Sequence, residues 1–187
     1  MKRILPLAFL LIATPALAHP GHGGGFAGGF AHPMTGLDHV LAMLAVGLWA
    51  ALRGHGATLA WPAAFVAAMA GGFGLTQAGL VVPQIETMIL ASVVLLGSAI
   101  AMRLEAPVWL GAAAIGAFGI AHGAAHGMEL QGAPLPFAGG FLMASVVLHA
   151  AGIGLAALFA RIGAGWPVRI AGTGVALAGL ALAANAI

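Results

Sequence analysis

The sequence predicts an all-α membrane protein, a six-helix transmembrane bundle that follows an N-terminal signal peptide. Two observations predict this fold class. The 187 residues are 62% hydrophobic and only 5% charged, whereas a soluble domain is usually about 25% charged. Long apolar stretches recur along the chain, and about 20 consecutive apolar residues cross a bilayer as a helix. We therefore expect the lipid bilayer to surround this chain.

The first 18 residues have the pattern of a secretory signal peptide. Lys2 and Arg3 precede a short apolar run, which ends in the small-residue pattern A-L-A before His19. Such a run is too short to span, and the A-x-A pattern favours cleavage over an uncleaved anchor helix. We expect residues 19–34 to form a flexible, His- and Gly-rich extracytoplasmic leader. Residues 35–187 then form the transmembrane domain.

Breaks at charges and at Gly/Pro clusters divide this domain into six candidate spans. The spans are residues 35–52, 57–80, 85–102, 108–127, 137–160 and 168–187. The arginines after the signal peptide all fall on one side of this layout: Arg53, Arg103, Arg161 and Arg169. The positive-inside rule makes that side cytoplasmic.

A second signal predicts the same orientation, because a signal peptide places the mature N-terminus in the periplasm. The four tryptophans lie near the cytoplasmic ends, as interfacial anchors would: Trp49, Trp61, Trp109 and Trp166. The predicted location is the bacterial inner membrane, with several passes.

Composition excludes several classes of function. The chain has no Cys, which excludes a disulfide framework and any thiolate metal or redox site. Its six Lys and Arg residues form no basic cluster for nucleic acid. No phosphate-binding loop of the Walker type is present, so this chain does not use ATP. We expect neither an enzyme nor a catalytic cofactor.

Ionisable side chains collect on the side away from the arginines. The candidate metal ligands are His32, Asp38, His39, Glu86, His122, His126, Glu129 and His149. Burying such groups in a bilayer is costly, so they are functional candidates. Imidazole and carboxylate together suit a borderline divalent cation such as Ni²⁺, Co²⁺ or Zn²⁺.

The fourth span carries the densest group. His122 and His126 are four residues apart and share one helical face, and Glu129 completes a stripe about 60° wide. These three side chains make half a coordination shell, and segment 32–39 can supply the other half. Glycines lie at every fourth position beside the stripe: Gly119, Gly123 and Gly127. They would let another helix approach closely and bring its ligands within reach.

Structural roles remain open for some of these residues. Asp38 fits a capping box with Thr35, and a carboxylate such as Glu86 is favoured at a helix N-terminus by the dipole. His149 could be an interhelical hydrogen-bond donor. Glu129 differs, because the dipole disfavours a carboxylate at a helix C-terminus.

Three further histidines lie outside the spans. His19 would have a free α-amine after cleavage, so it and His22 could capture metal at the mouth of the protein. An ordinary leader without this role is the alternative. His55 lies in a Gly-flanked loop on the arginine side. A solvated loop residue explains it better than a metal ligand, although a metal could be released near it.

Two motifs resemble the HupE/UreJ family of nickel/cobalt permeases: H-P-x-x-G-x-D-H at 32–39 and H-G-x-A-H-G-x-E at 122–129. The signal peptide, the six-span layout and the chain length fit as well. Ala121 departs from the pattern, where an aromatic residue is expected. The resemblance implies uptake of Ni²⁺ or Co²⁺ as transported substrate, for hydrogenase, urease or cobalamin assembly. It implies a metal path through His32, Asp38, His39, His126 and Glu129, which Glu86 and His122 would join.

Other functions also fit the residues. An intramembrane metallo-hydrolase would use His122 and His126, but Gly123 stands where H-E-x-x-H has its Glu. A haem carrier could use His122 and His149 as axial ligands. A metal sensor or store would bind without transport. Oligomeric state, including a homo-oligomer, and proton coupling are open.

Overall fold

The computed structural model describes residues 24–54, 56–130, 132–163 and 165–186, and within these ranges the chain is helical, without strands. The seven helices are α1 (Gly25–Thr35), α2 (Leu37–Arg53), α3 (Ala57–Gln77), α4 (Ile85–Ala101), α5 (Val108–Met128), α6 (Pro134–Ile162) and α7 (Trp166–Asn185). The predicted signal peptide, His19, His22 and His55 lie outside the described residues. The predicted fold class is therefore confirmed as all-α.

The helices are apolar enough for a multi-pass membrane protein. Four of them, α3, α5, α6 and α7, are long enough to cross a bilayer. Helices α1 and α2 together make a fifth candidate, as one span that bends by 84°. Helix α4 is apolar but has only 17 residues. The six predicted spans correspond to α2 through α7, and their number as full crossings stays a prediction.

The segment before the first predicted span differs from the sequence prediction. We predict a flexible leader over residues 19–34, but α1 is a regular helix packed on α6. Gly29 is a contact point, because a Cβ there would overlap the backbone of Phe137 on α6. On α6, Gly140 lies equally close to the backbone of Phe26. Glycine here permits close helix packing rather than disorder.

Small residues also allow close backbone contact in the other main helix pairs. Helix α5 packs on α3, α4 on α7, and α2 on α6. A Cβ at Gly97 would overlap the backbone of α7, and one at Gly47 would overlap the carbonyl of His149. Such contacts bring the backbones together, as is usual where lipid supplies no hydrophobic drive between helices.

The glycine stripe of α5 lets another helix approach closely, so this part of the prediction is confirmed. A Cβ at Gly123 would overlap the Met69 carbonyl, and Gly119 lies against the backbone of Phe65. The helix that approaches is α3, and it brings phenylalanine and methionine rather than metal ligands. The expected ligands come from α1, α2 and α6 instead.

At the end of the bundle that carries the arginines, called the arginine end below, long polar side chains bind loop and helix carbonyls. The pairs are Trp49 Nε1 to Leu104 O (3.0 Å), Arg53 Nε to Ala106 O (2.8 Å) and Trp61 Nε1 to Val108 O (2.8 Å). These bonds join the C-terminal end of α2 and the N-terminal end of α3 to the α4–α5 loop and the first residue of α5. The opposite end, where α1 meets α2 and α5 ends, is called the histidine end.

The tryptophan prediction is wrong for two of the four residues. Trp49 and Trp61 are buried, and their rings contact each other with centroids 4.5 Å apart. They are core residues whose indole N–H groups find carbonyl acceptors, as buried tryptophans usually do. Trp109 and Trp166 are exposed, in positions suited to interfacial anchors.

Candidate cation site

Four histidines form a row that leads from the histidine end into the bundle, called the imidazole row below. Ring centroids are 5.1 Å apart for His32 and His126, 4.8 Å for His126 and His39, and 4.7 Å for His39 and His122. His32 is partly exposed, whereas His122 and His126 are fully buried. The structure thus brings the two sequence motifs, 32–39 and 122–129, together around neighbouring rings.

The bend between α1 and α2 makes this arrangement possible. The two helices meet at Gly36 with an angle of 84° between them. His32 before the bend and His39 after it therefore both reach His126. A Cβ at Gly36 would lie 2.8 Å from Asp38 Oδ1 and 3.2 Å from His39 Nδ1. A larger residue at position 36 would therefore displace the side chains of Asp38 and His39.

At the open end of the row lies a group of three possible ligands, called the mouth group: His32, His126 and Glu129. Their ligand atoms all lie within 4.8 Å of one another. His32 Nε2 forms a 2.7 Å hydrogen bond with Glu129 Oε2, and the Glu129 side chain is 53% exposed. Glu129 follows the last residue of α5, where the helix dipole disfavours a carboxylate. Its position is explained by His32 rather than by helix stability.

Asp38 lies behind His39, away from its free nitrogen. Its Oδ1 accepts a hydrogen bond from the backbone N–H of His39 (2.7 Å) and one from His39 Nδ1 (2.9 Å). A carboxylate only accepts, so Nδ1 carries the proton and Nε2 of the neutral ring keeps its lone pair. The alternative capping box does not form, because the Thr35 hydroxyl donates to the His32 carbonyl and α2 has no side-chain cap.

Ser92 on α4 orients His122 in the same way. Its hydroxyl donates to the Ile89 carbonyl at 2.6 Å, which uses its single proton. The 3.1 Å contact with His122 Nε2 must then have the imidazole as donor. Nδ1 of the neutral ring therefore keeps its lone pair. Sequence reasoning missed Ser92, whose only signal is a hydroxyl in an apolar helix.

Six buried imidazole nitrogens have no hydrogen-bond partner among the described residues. Across the described ranges, every buried side-chain nitrogen or oxygen without a hydrogen bond belongs to His39, His122, His126 or His149. A buried polar group without a partner costs about 1–3 kcal/mol, so six such nitrogens do not serve stability. Neutral imidazole nitrogens are the commonest metal ligands in proteins. The row can therefore coordinate a cation along its length.

His149 lies apart from the row. It is 2% exposed and lies 15 residues after the start of α6, about 22 Å along the helix. The ring of Phe65 contacts both His149 and His122, with centroids 5.2 Å from each histidine. A haem held by His122 and His149 would have to fit beside this fully buried ring.

Glu86 lies in the first turn of α4, outside the mouth group. It lines an open cleft of about 560 Å³ together with Glu129, at the histidine end. Both carboxylates thus border the same entrance, but the structure brings only Glu129 among the histidines. The helix-dipole explanation of Glu86 remains as good as a role with metal.

The structure defines the class of this protein: an all-helical membrane protein with a buried row of histidines. One end of the row opens beside a carboxylate. The chain belongs to the HupE/UreJ family, because the family described as HupE / UreJ protein matches residues 7–182. Protein HupE of Rhizobium leguminosarum bv. viciae is 44% identical over 181 residues, which cover 94% of each chain. No solved structure matches the chain. The family resemblance predicted from the two motifs is confirmed.

Proposed function

We propose that this chain is a secondary permease that imports Ni²⁺ or Co²⁺ across the bacterial inner membrane. The observation that carries the proposal is the imidazole row, with its unpartnered buried nitrogens and a carboxylate at its open end. The HupE/UreJ family is associated with nickel and cobalt transport, which supports the choice of cargo. Hydrogenase, urease or cobalamin assembly would then receive the metal.

Capture begins at the mouth group. The cation displaces the proton shared by His32 and Glu129 and gains the imidazole of His126 as a third ligand. The carboxylate offsets part of the cation's charge, while both imidazoles are neutral ligands of borderline softness. Glu86, at the same cleft, adds negative charge that attracts a divalent cation to the entrance.

Transfer inward uses lone pairs that the protein holds in place. His39 Nε2 and His122 Nδ1 face the row because Asp38 and Ser92 bind the other nitrogen of each ring. Such partners fix the tautomer and orientation of metal-ligating histidines, and their loss typically costs 10–100-fold in affinity. Asp38 thus acts as a positioning residue rather than as a ligand. His149 is the next station inward.

The membrane potential can drive import without ATP. Moving one charge across 100 mV is worth about 2.3 kcal/mol, so a divalent cation gains about 4.6 kcal/mol. This drive acts inward if the histidine end faces the periplasm and the arginine end faces the cytoplasm, as the arginine distribution predicts. His19 and His22 would extend the entrance on the periplasmic side.

The test is metal flux into proteoliposomes under an inside-negative potential, with Ni²⁺, Co²⁺, Zn²⁺ and Mn²⁺ in competition. We expect saturable uptake of Ni²⁺ or Co²⁺ that Mn²⁺ inhibits weakly. Uptake equal to that of empty vesicles would refute the permease. Binding without uptake would instead identify a metal sensor or store, and hydrolysis of added peptide or lipid with Zn²⁺ would favour the hydrolase.

A further inference from the structure

A phenylalanine ring interrupts the path of imidazoles at its inner end. Phe65 on α3 is fully buried, and its ring is tilted by 53° to His122 and by 79° to His149. The ring packs against both imidazoles, with its centroid 5.2 Å from each. Phe65 offers no lone pair, so the ring itself cannot take over a cation from His122.

His149 is nevertheless prepared to accept a ligand. Both of its ring nitrogens are buried and without a hydrogen-bond partner, which removes the interhelical donor role that the sequence left open. It also borders a groove of about 500 Å³ between α3 and α6. That groove is lined almost wholly by apolar residues, so in a bilayer it gives no route to a hydrated cation. The other approach to His149, from His122, runs along the Phe65 ring, which contacts both histidines.

We propose that Phe65 is the gate of this protein: its ring closes the passage between the imidazole row and His149, and its displacement joins the two stations. The inference rests on the proposed permease function. With the ring in place, the row is open to the histidine end and closed toward His149. A permease needs such a barrier, because a continuous line of ligands would also conduct protons and other cations.

The absence of cysteine in the natural chain allows a direct test of access. His149→Cys places a single thiol behind the ring, and Ag⁺ added to sealed proteoliposomes at the histidine end reports whether a small cation reaches it. Protected thiols are counted with a fluorescent maleimide after denaturation. Met128→Cys, at a residue 71% exposed at that end, verifies the orientation and the reagent.

We expect the thiol of His149→Cys to be protected while Phe65 is present and to react at least tenfold faster in Phe65→Ala. Phe73→Ala is the matched control, because it removes the same ring from the same helix away from both imidazoles, and it should leave the thiol protected. Phe65→Leu, which keeps an apolar side chain of similar bulk, should give an intermediate rate if Phe65→Ala does not fold.

Rapid reaction of His149→Cys with Phe65 in place would overturn the gate, and so would equal protection in His149→Cys with Phe65→Ala. If Phe65→Ala does not fold, equal protection with Phe65→Leu overturns the gate in its place. Neither outcome depends on transport. A wild-type protein that takes up no metal would refute the permease alone, so the two failures are distinguishable. If both hypotheses hold, Phe65→Ala should also lose discrimination and admit Mn²⁺ at a rate close to that of Ni²⁺.

Discussion

The two ends of the bundle differ in whether their buried polar groups have hydrogen-bond partners. At the arginine end, Trp49, Arg53 and Trp61 each donate to a backbone carbonyl at 2.8–3.0 Å. At the histidine end and below it, six imidazole nitrogens are buried without a hydrogen-bond partner in the part of the chain that the structure describes. Satisfied donors stabilise a fold, whereas unsatisfied ones lower its stability. The arginine end is therefore built for stability, and the imidazole row is built for a ligand.

The largest effect is expected from His126, and it tests whether the imidazole row serves ligand binding rather than stability. His126→Leu removes the residue shared by the mouth group and the row, so Ni²⁺ uptake at low external metal should fall to the level of empty vesicles. Because two unpartnered nitrogens leave the core, the free energy of unfolding should stay equal or rise by about 1–3 kcal/mol. Uptake and unfolding are measured on the same purified protein. Wild-type uptake, or a marked loss of stability, would contradict the functional role of this end.

The second prediction concerns the packing that places the row. Gly123→Ala puts a methyl group into the Met69 carbonyl of α3, so α5 must move away and the free energy of unfolding should fall by about 2–4 kcal/mol. Gly116→Ala on the same helix is the matched control, since its nearest neighbour would be 3.9 Å away. Equal stability of the two variants in an unfolding titration would show that the α3–α5 contact is looser than described.

The third prediction separates orientation from ligation. Ser92→Ala removes the acceptor that fixes the His122 tautomer, and metal affinity should fall about 10–100-fold. Ser92→Thr keeps the hydroxyl and should recover much of the loss. Affinity is measured by equilibrium metal binding in detergent. If Ser92→Ala binds as tightly as wild type, His122 either needs no positioning or is not a ligand.

The smallest expected effect lies at the arginine end. Trp61→Phe deletes the indole N–H that donates to the Val108 carbonyl and should lower the free energy of unfolding by about 1 kcal/mol. Metal affinity and uptake per folded molecule should be unchanged. A loss of uptake per folded molecule in this variant would contradict the assignment of stability to the arginine end and of ligand binding to the imidazole row.

Sequence reasoning failed where a residue's role depends on what faces it. The Gly-rich leader is predicted to be flexible, yet it contains α1, whose Gly29 packs against the backbone of Phe137 on α6. Trp49 and Trp61 have the sequence positions of interfacial anchors but fold into the core. Composition cannot distinguish a glycine that loosens a chain from one that admits a neighbouring helix.

The candidate site shows the same limit of sequence reasoning. Spacing alone placed His122 and His126 on one face of a helix and singled out the acidic residues, because helical periodicity and the cost of charge in lipid are local properties. Spacing could not reveal that Asp38 binds His39, or that Ser92 and Phe65 touch His122. The contacts of Ser92 and Phe65 with His122 join different helices, and the Asp38–His39 bond depends on side-chain orientations at the start of α2.

The sequence by itself determined the helical membrane class, the helix order, the family and the set of ionisable residues worth considering. These follow from apolar run length, charge depletion and two local motifs. Tertiary structure alone decided which nitrogens are free and which rings lie side by side. The physical reason is that the His122 tautomer and the meeting of His32 and His39 with His126 depend on contacts between helices, which close glycine packing and the 84° bend at Gly36 make possible.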